Sequence, residues 1–360
     1  MGVTIEDLIV ISPKTLTIIA TYHCTAACAD CCFECTPKIT HRLSLAEILS
    51  AIDSAIGMYP DIGIVVFTGG ECFTLKEDLF TAIKHCTSNG LQTRCVTNAY
   101  WAKNYEMAVR YAEKLIEAGI CEINISTGLD HQRWVSEKTV LNAVLALTKR
   151  NIFTLLTVEK DTNSSSCFES IQSNKLIMEL QKNNFLFKLQ SNSWMTFSKD
   201  SVERELIDRD AIDKGCDQIF ENIVITPKKK ISACCGLTLE HINEMKVGDI
   251  NDLSGYVQHQ KNDFLKLWIK IDGPIKIIDY LLGEGNHKTK NVSHQCEACA
   301  MLHKDPEIIR HLKSRYQNYI PYVLNKYLLI KSATSNQSVS RGYNEKNRGI
   351  RTYLSCWTEC

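Results

Sequence analysis

The chain has 360 residues, of which 41 are basic, 41 are acidic and 44% are hydrophobic. This composition can bury a large core in one or two domains, and it excludes a disordered or fibrous protein. The balanced charge excludes a global field that would attract nucleic acid or an anionic membrane. No apolar run approaches the ~20 residues that span a bilayer, and the acidic start MGVTIEDLIV does not resemble a signal peptide. We therefore expect a cytoplasmic protein with no nucleic-acid or membrane partner.

Segments rich in β-branched residues alternate with helical patterns through the first half of the chain. The six predicted strands are 15–21, 62–67, 91–97, 120–127, 152–159 and 185–191. Such alternation predicts an α/β fold with a parallel sheet. Ser44 and Glu47 form a capping-box pattern at the start of the first helix, and Gly119 suits the end of a later one.

Cysteine is the unusual component, with 17 residues, an odd number that cannot all pair. In a chain without an export signal, this enrichment favours metal or redox chemistry over a disulfide framework. The densest group, CTAACADCCFEC, follows the first predicted strand directly. We therefore expect a metal site at the carboxyl edge of the sheet, where ligands bind in α/β folds.

The group contains the spacing C-x3-C-x2-C twice, as Cys24, Cys28 and Cys31 and as Cys28, Cys32 and Cys35. We favour the first set because Cys24 follows the predicted strand end so closely. Three thiolates can hold a cubane iron–sulfur cluster and leave its fourth iron without a protein ligand. A structural zinc ion would require four ligands.

The position and spacing of Cys24, Cys28 and Cys31 resemble the cluster loop of the radical S-adenosylmethionine (radical SAM) superfamily. The resemblance implies a partial (β/α)6 TIM-like barrel and a [4Fe-4S] cluster whose open iron chelates SAM. It also implies reductive cleavage of SAM to methionine and a 5′-deoxyadenosyl radical. One departure is Asp30, which stands where the superfamily usually has an aromatic residue.

Three later strand ends carry further matches to the superfamily. Gly69, Gly70 and Glu71, in FTGGECF, resemble its motif for the SAM amino group. We expect the two glycines to let the backbone approach a ligand and Glu71 to accept from an ammonium group. Asn98, in VTNAYW, and Ser126, in ISTGLD, resemble segments that contact SAM. An ordinary helix-capping role explains these two residues equally well.

A second set of cysteines accompanies a predicted hairpin, IVITPKKKISACC, whose turn lies at 227–230. The set consists of Cys216, Cys234, Cys296 and Cys299. Four thiolates can enclose either zinc or a second [4Fe-4S] cluster, and spacing does not choose between them. The arrangement is similar to the Twitch form of the SPASM extension, which implies an auxiliary cluster. A full SPASM set would need further cysteines, such as Cys356 and Cys360.

Adjacent residues in a strand point to opposite faces, so one of Cys234 and Cys235 should not be a ligand. We predict that Cys234 is the ligand and Cys235 is not. A buried spare thiol is one interpretation of Cys235. The other is a hydrogen-atom donor, which the resemblance to radical SAM peptide epimerases implies.

These observations predict a barrel at 1–210, a small cysteine-rich auxiliary cluster domain of hairpin and helices at 211–305, and a C-terminal helix with a polar tail at 306–360. The resemblance favours a peptide-modifying radical SAM enzyme that catalyses epimerisation, thioether formation or carbon–carbon crosslinking, supplied by an external electron donor. About 14 residues precede the first strand, so we expect the peptide to be recognised by a separate protein or by the barrel groove.

Two alternatives remain open at the level of sequence. One is a radical SAM dehydrogenase or carbon-skeleton enzyme that acts on a small metabolite. The other is a non-catalytic zinc-binding interaction module, for which the three-ligand spacing of the first site is a poor fit.

Overall fold

The computed structural model of the chain describes residues 9–159, 166–195, 214–236 and 241–342, with side chains as far as 333. The strands in these ranges are β1 Thr15–Thr21, β2 Ile64–Gly69, β3 Gln92–Thr97, β4 Glu122–Thr127, β5 Phe153–Glu159, β6 Phe187–Asn192, β7 Asn222–Ile225, β8 Lys230–Ser232 and β9 Lys246–Asp249. The α-helices are α1 Leu45–Met58, α2 Glu77–Ser88, α3 Tyr105–Ala118, α4 Leu129–Gln132, α5 Glu137–Thr148, α6 Ser166–Ser173, α7 Lys175–Asn183, α8 Gly255–Gln258, α9 Phe264–Asp272, α10 Pro274–Leu282, α11 Gln295–Lys304, α12 Pro306–Arg315 and α13 Ile320–Gly342.

The strands form one sheet in the order β6-β5-β4-β3-β2-β1-β7-β8-β9. Strands β1 to β6 are parallel and neighbour one another in chain order, which is the pattern of successive β/α units. Each of the six predicted strands is present, with ends that differ by at most two residues. The predicted α/β class with a partial barrel is confirmed, and β6 and β9 are the two edges of the sheet among the described strands.

Helix α1 shows how the local sequence builds these units. The Ser44 hydroxyl accepts from the Glu47 backbone N–H, and the Glu47 carboxylate accepts from the Ser44 backbone N–H, so the predicted capping box is present. The helix buries Ile48 and Ile52 in the main core. Gly119 ends α3 with φ of 84°, the left-handed conformation that glycine adopts most readily.

The predicted hairpin is also present, and it continues the main sheet. Strand β7 pairs in parallel with β1, and β8 then pairs antiparallel with β7. Lys229 in the hairpin turn forms an ion pair with Glu47 at 2.7 Å, and the Tyr59 hydroxyl donates to the Leu253 carbonyl at 2.7 Å. The hairpin region therefore contacts α1 and the residue that follows it, in addition to its pairing with the sheet.

The C-terminal helices follow one another closely. A short 3-10 turn at Tyr316–Tyr319 separates α12 from α13, which begins with Pro321 in its first turn, where a missing N–H costs no hydrogen bond. Helix α13 continues into the predicted polar tail as far as Gly342.

Two sequence predictions fall on residues that the structure does not describe. The predicted domain boundary between 210 and 211 lies there and stays a prediction, and so do Cys356 and Cys360. None of the helices in the described ranges combines the length and apolar character that crossing a bilayer requires.

Candidate functional site

The cysteine-rich loop begins where β1 ends, and backbone hydrogen bonds hold its two arms together. The Tyr22 N–H donates to the His41 carbonyl at 3.0 Å, and the Cys24 N–H donates to the Thr36 carbonyl at 3.3 Å. These bonds close the loop on itself. They therefore keep Cys24 and the cysteines after it at the carboxyl edge of the sheet, as the sequence predicts.

The thiols of this loop lie around one cavity: Cys24, Cys28, Cys31, Cys32 and Cys35. Hydrogen bonds from the Cys32 and Cys35 thiols lower the pKa of Cys31, and the Cys35 backbone N–H also donates to its sulfur at 3.4 Å. Burial raises the pKa of Cys24 to about 12. The structure thus brings the members of both spacings together and leaves the choice between them open.

The thiols of the loop are arranged around a space of the kind that a cubane cluster needs. Within the described ranges, no three His, Cys, Asp or Glu side chains converge on the position of one metal ion. A cubane binds its cysteines through separate irons, so its thiols must surround a space rather than meet at a point. The thiols of this loop line such a space, and no cysteine in the described ranges forms a disulfide.

Gly69 and Gly70, at the end of β2, both line the cavity. A Cβ on Gly69 would lie 2.4 Å from the Thr21 carbonyl oxygen, and one on Gly70 would lie 2.3 Å from the His23 carbonyl oxygen. The Gly70 N–H also donates to the Thr21 carbonyl at 2.7 Å. The glycines are therefore required because the start of the cysteine loop leaves no space for a Cβ at either position. The sequence pattern predicts instead that they make room for a ligand.

The Glu71 side chain is fully buried and is not among the residues that line the cavity. One carboxylate oxygen accepts from the Thr97 hydroxyl at 2.8 Å and from the Phe73 N–H at 3.1 Å, and the other accepts from the Asn98 N–H at 2.8 Å. Burial raises the pKa of Glu71 to about 7. Glu71 thus fastens the end of β2 to the end of β3, and its carboxylate is occupied by these contacts within the protein.

Asn98 and Ser126 lie at the ends of β3 and β4 and line the cavity. The Asn98 amide donates to the Thr25 hydroxyl at 3.1 Å, and its carbonyl oxygen accepts from the Tyr100 N–H at 3.0 Å. Asn98 therefore fastens the cysteine loop and also caps the next turn. Ala99, the next residue, has φ of 63°, a left-handed conformation that glycine adopts more readily.

The four cysteines of the second set lie close to one another. The Cys299 thiol has its pKa raised by burial and, next, by the neighbouring thiols of Cys234, Cys296 and Cys216. A Cβ on Gly236 would lie 3.2 Å from the Cys296 sulfur and 3.6 Å from the Cys234 sulfur. Helix α11 carries two members of the set, and the chain just after β8 supplies Cys234.

Cys234 and Cys235 face different surroundings. Cys234 is buried in the main hydrophobic core. Cys235 is half-buried, packs against the apolar residues around the first cysteine loop, and lines the cavity. Its thiol donates to the Gln218 side-chain oxygen at 3.1 Å.

The cavity has a volume of about 240 Å³ and touches both cysteine sets, the second of them through Cys296. Its walls also include side chains that sequence reasoning did not select: Asn124, His131, Thr157, Gln190 and Trp194. His131 meets the Trp194 ring edge-to-face at 4.8 Å, and burial lowers the pKa of His131 to about 4. For the residues on β4, β5 and β6, the alternation of side chains along a strand is the sequence pattern that could have identified them as cavity-facing.

Comparison with known proteins yields solved structures only, because no protein-family profile and no curated protein matches the chain. The chain is similar to native anSMEcpe with bound AdoMet and Cp18Cys peptide, with TM-score 0.53 and 13% identity over 88% of this chain and 99% of that one. SuiB from Streptococcus suis, bound to its precursor peptide SuiA, aligns with TM-score 0.48 and 14% identity over 83% of this chain and 75% of that one.

A third similar structure is the radical S-adenosylmethionine methyltransferase TsrM from Kitasatospora setae, which holds cobalamin and a [4Fe-4S] cluster. It aligns with TM-score 0.34 and 14% identity over 49% of this chain and 36% of that one. At 13% identity, the likeness to anSMEcpe concerns the fold.

Proposed function

We propose that this chain is a radical SAM enzyme with an auxiliary cluster site, and that its substrate is a peptide. The observation that carries the proposal is that one cavity touches both cysteine sets and the ends of β2, β3 and β4. The fold shared with anSMEcpe, whose structure holds AdoMet and a peptide, supports the same proposal.

In this proposal Cys24, Cys28 and Cys31 hold the first [4Fe-4S] cluster. When bound, the cluster and SAM would supply a carbon radical that abstracts hydrogen, and an external electron donor would supply the electron for each turnover. The residues that would bind SAM lie at the cavity wall: Gly69, Gly70, Asn98 and Ser126. Glu71 would act as a positioning residue, because its carboxylate holds the backbone between β2 and β3.

The auxiliary [4Fe-4S] cluster would be held by the second set, with zinc as the alternative occupant: Cys216, Cys234, Cys296 and Cys299. The mutual proximity of these thiols supports a shared metal group, because a positively charged metal offsets the cost of ionised thiolates in the interior. The ranges 1–210, 211–305 and 306–360 remain our proposed division of the chain.

The position of Cys235 favours epimerisation as the outcome. A peptide radical at Cα would take the hydrogen atom of the Cys235 thiol, so that a C–H bond forms and a sulfur radical remains. The external donor would then return one electron to that sulfur, and solvent would return one proton. Delivery from the opposite face would invert the carbon centre, and the exposure of Cys235 to the cavity supports this role.

A peptide is the proposed partner over a small metabolite because the fold is shared with a protein solved with a bound peptide. Thioether formation, carbon–carbon crosslinking and metabolite dehydrogenation are the competing outcomes. The cytoplasmic location expected from the sequence stays a prediction.

The test is anaerobic purification, a count of iron and sulfide, and an assay of dithionite-driven 5′-deoxyadenosine formation from SAM. We expect about eight irons per chain and deoxyadenosine, with both falling in a Cys24/Cys28/Cys31→Ala variant. About four irons with activity would make the second site a zinc site or a vacant one. A colourless protein that binds only zinc and forms no deoxyadenosine would establish the non-catalytic module instead.

A further inference from the structure

Side chains from three adjacent strands form one polar layer on the cavity wall. Ser126 of β4 pairs in register with Thr157 of β5, and Thr157 pairs in register with Gln190 of β6. All three residues line the cavity, and so does Asn124, two positions before Ser126. The layer therefore continues from a predicted SAM-binding strand end onto β5 and β6, where the sequence assigned no function.

The side chains of this layer form a chain of hydrogen bonds in which each donor points from β6 through β5 to β4. The Gln190 amide donates to the Thr157 hydroxyl at 3.1 Å, and the Thr157 hydroxyl donates to the Asn124 side-chain oxygen at 3.1 Å. Among the residues that the structure describes, this relay uses one N–H of Gln190 and leaves its carbonyl oxygen and second N–H for the cavity. The Asn124 NH2 group is likewise left as a donor. The wall thus presents both donors and acceptors, which is the pattern that an amide group complements.

The relay itself carries no charge. Arg94 of β3 also lines the cavity, and its guanidinium forms an ion pair with Glu122 of β4 at 2.7 Å, which offsets its charge. A charged group against the relay would lose hydration, because Asn124, Thr157 and Gln190 offer it only neutral partners. An apolar group would leave the Gln190 carboxamide without a hydrogen-bond partner. The cost of an unpaired polar group in a binding site gives strong discrimination against substrates that cannot form the hydrogen bond.

We propose that Asn124, Thr157 and Gln190 bind an amide group of the substrate, either a backbone peptide group or a side-chain carboxamide. This inference rests on the proposed function, because it names the chemistry by which the peptide would be held beside SAM.

The experiment measures binding of blocked tripeptides, acetyl-Gly-Xaa-Gly-amide, to the anaerobic protein with SAM by ligand-detected NMR. Asn and Leu at Xaa have nearly the same shape and differ in the carboxamide, whereas Ala and N-methylalanine differ in the backbone N–H. Tighter binding of Asn than of Leu would assign a side-chain carboxamide. Tighter binding of Ala than of N-methylalanine would assign a backbone group.

The Gln190→Leu variant should weaken the preferred tripeptide about tenfold and leave SAM affinity and iron content unchanged. Ser191→Ala is the matched control, because Ser191 is the next residue of β6, is exposed, and should leave tripeptide binding at the wild-type level. No binding of any peptide, wild-type tripeptide affinity in Gln190→Leu, or a matching loss of SAM affinity in that variant would overturn the inference. The deoxyadenosine assay decides the proposed function independently, because it needs no peptide.

Discussion

At the scale of single residues, the thiols of the cysteine loop differ in their polar surroundings. Hydrogen bonds from Cys32 and Cys35 lower the pKa of Cys31, whereas burial raises the pKa of Cys24. The thiols of one loop thus differ in how readily each becomes a thiolate ligand. In the preferred set, the Cys24 sulfur accepts from the Ala26 backbone N–H and the Cys31 sulfur accepts from the Cys35 backbone N–H, each at 3.4 Å.

The two candidate ligand sets can be separated by single substitutions, since only Cys28 belongs to both. We expect Cys24→Ala and Cys31→Ala each to reduce the iron bound at the first site, counted per chain after anaerobic reconstitution, because each removes one of three ligands. Cys32→Ala and Cys35→Ala are the matched comparisons and should retain that iron. The reverse pattern would assign the site to Cys28, Cys32 and Cys35.

The glycine pair gives a second prediction at this scale. A methyl group on Gly70 would meet the His23 carbonyl oxygen at 2.3 Å, so Gly70→Ala must displace the backbone at the start of the cysteine loop. We expect a loss of about 1–3 kcal/mol in the free energy of unfolding, measured by urea titration without oxygen. Gly63→Ala is the control, because nothing lies within 4 Å of the position of its Cβ. Equal stability of the two variants would contradict this account of Gly70.

At the scale of elements, α1 joins the two predicted regions of the chain. Glu47 completes the capping box with Ser44 and also forms the ion pair with Lys229, in the turn between β7 and β8. The ion pair is largely exposed and contributes little stability by itself. The position of the ion pair matters more, because it brings α1 into contact with the hairpin. In that hairpin β7 lies beside β1, and β8 leads directly to Cys234 and Cys235.

Removing the cap of α1 should weaken the helix at this junction. We expect Ser44→Ala to lower the free energy of unfolding by about 1 kcal/mol, because it leaves the Glu47 backbone N–H without its side-chain acceptor. Ser50→Ala, at an exposed position inside the same helix, should be neutral or slightly stabilising. Urea unfolding followed by circular dichroism compares the two, and equal losses would argue against the cap as the cause.

At the scale of the whole molecule, one sheet places two distant cysteine sets on the same cavity. The first set lies in the loop after β1, and the second includes residues from the chain after β8 and from α11. The sets become neighbours because β7 pairs with β1, so the hairpin that begins with β7 ends close to the cysteine loop. A substrate in this cavity can therefore lie near both sets.

The second set should nevertheless be separable from the first by mutation. We expect Cys299→Ala to remove about four irons per chain while the first cluster remains, because Cys299 lies among the second set of thiols. Cys235→Ala should leave the iron count unchanged, and Cys121→Ala, at an exposed position outside both sets, serves as the control. A loss of iron in Cys235→Ala would make Cys235 a ligand in place of Cys234.

Much of the fold followed from local pattern. Alternating apolar segments predicted all six parallel strands, and Ser44 with Glu47 predicted the start of α1, because period and capping depend on residues only a few positions apart. The C-terminal end of α13 was not predicted, since a polar composition does not by itself end a helix.

By itself, the sequence determined the α/β order, the spacing of the first cysteine loop and the residue types at the strand ends. Only the tertiary structure decided that Glu71 is bonded within the protein, that Gly70 is required by His23, and that Cys234 and Cys235 face different surroundings. The polar layer on β4, β5 and β6 is also a product of register between strands. The reason is physical: spacing along a chain fixes which side chains share a face, whereas contact between elements depends on how strands pair and pack.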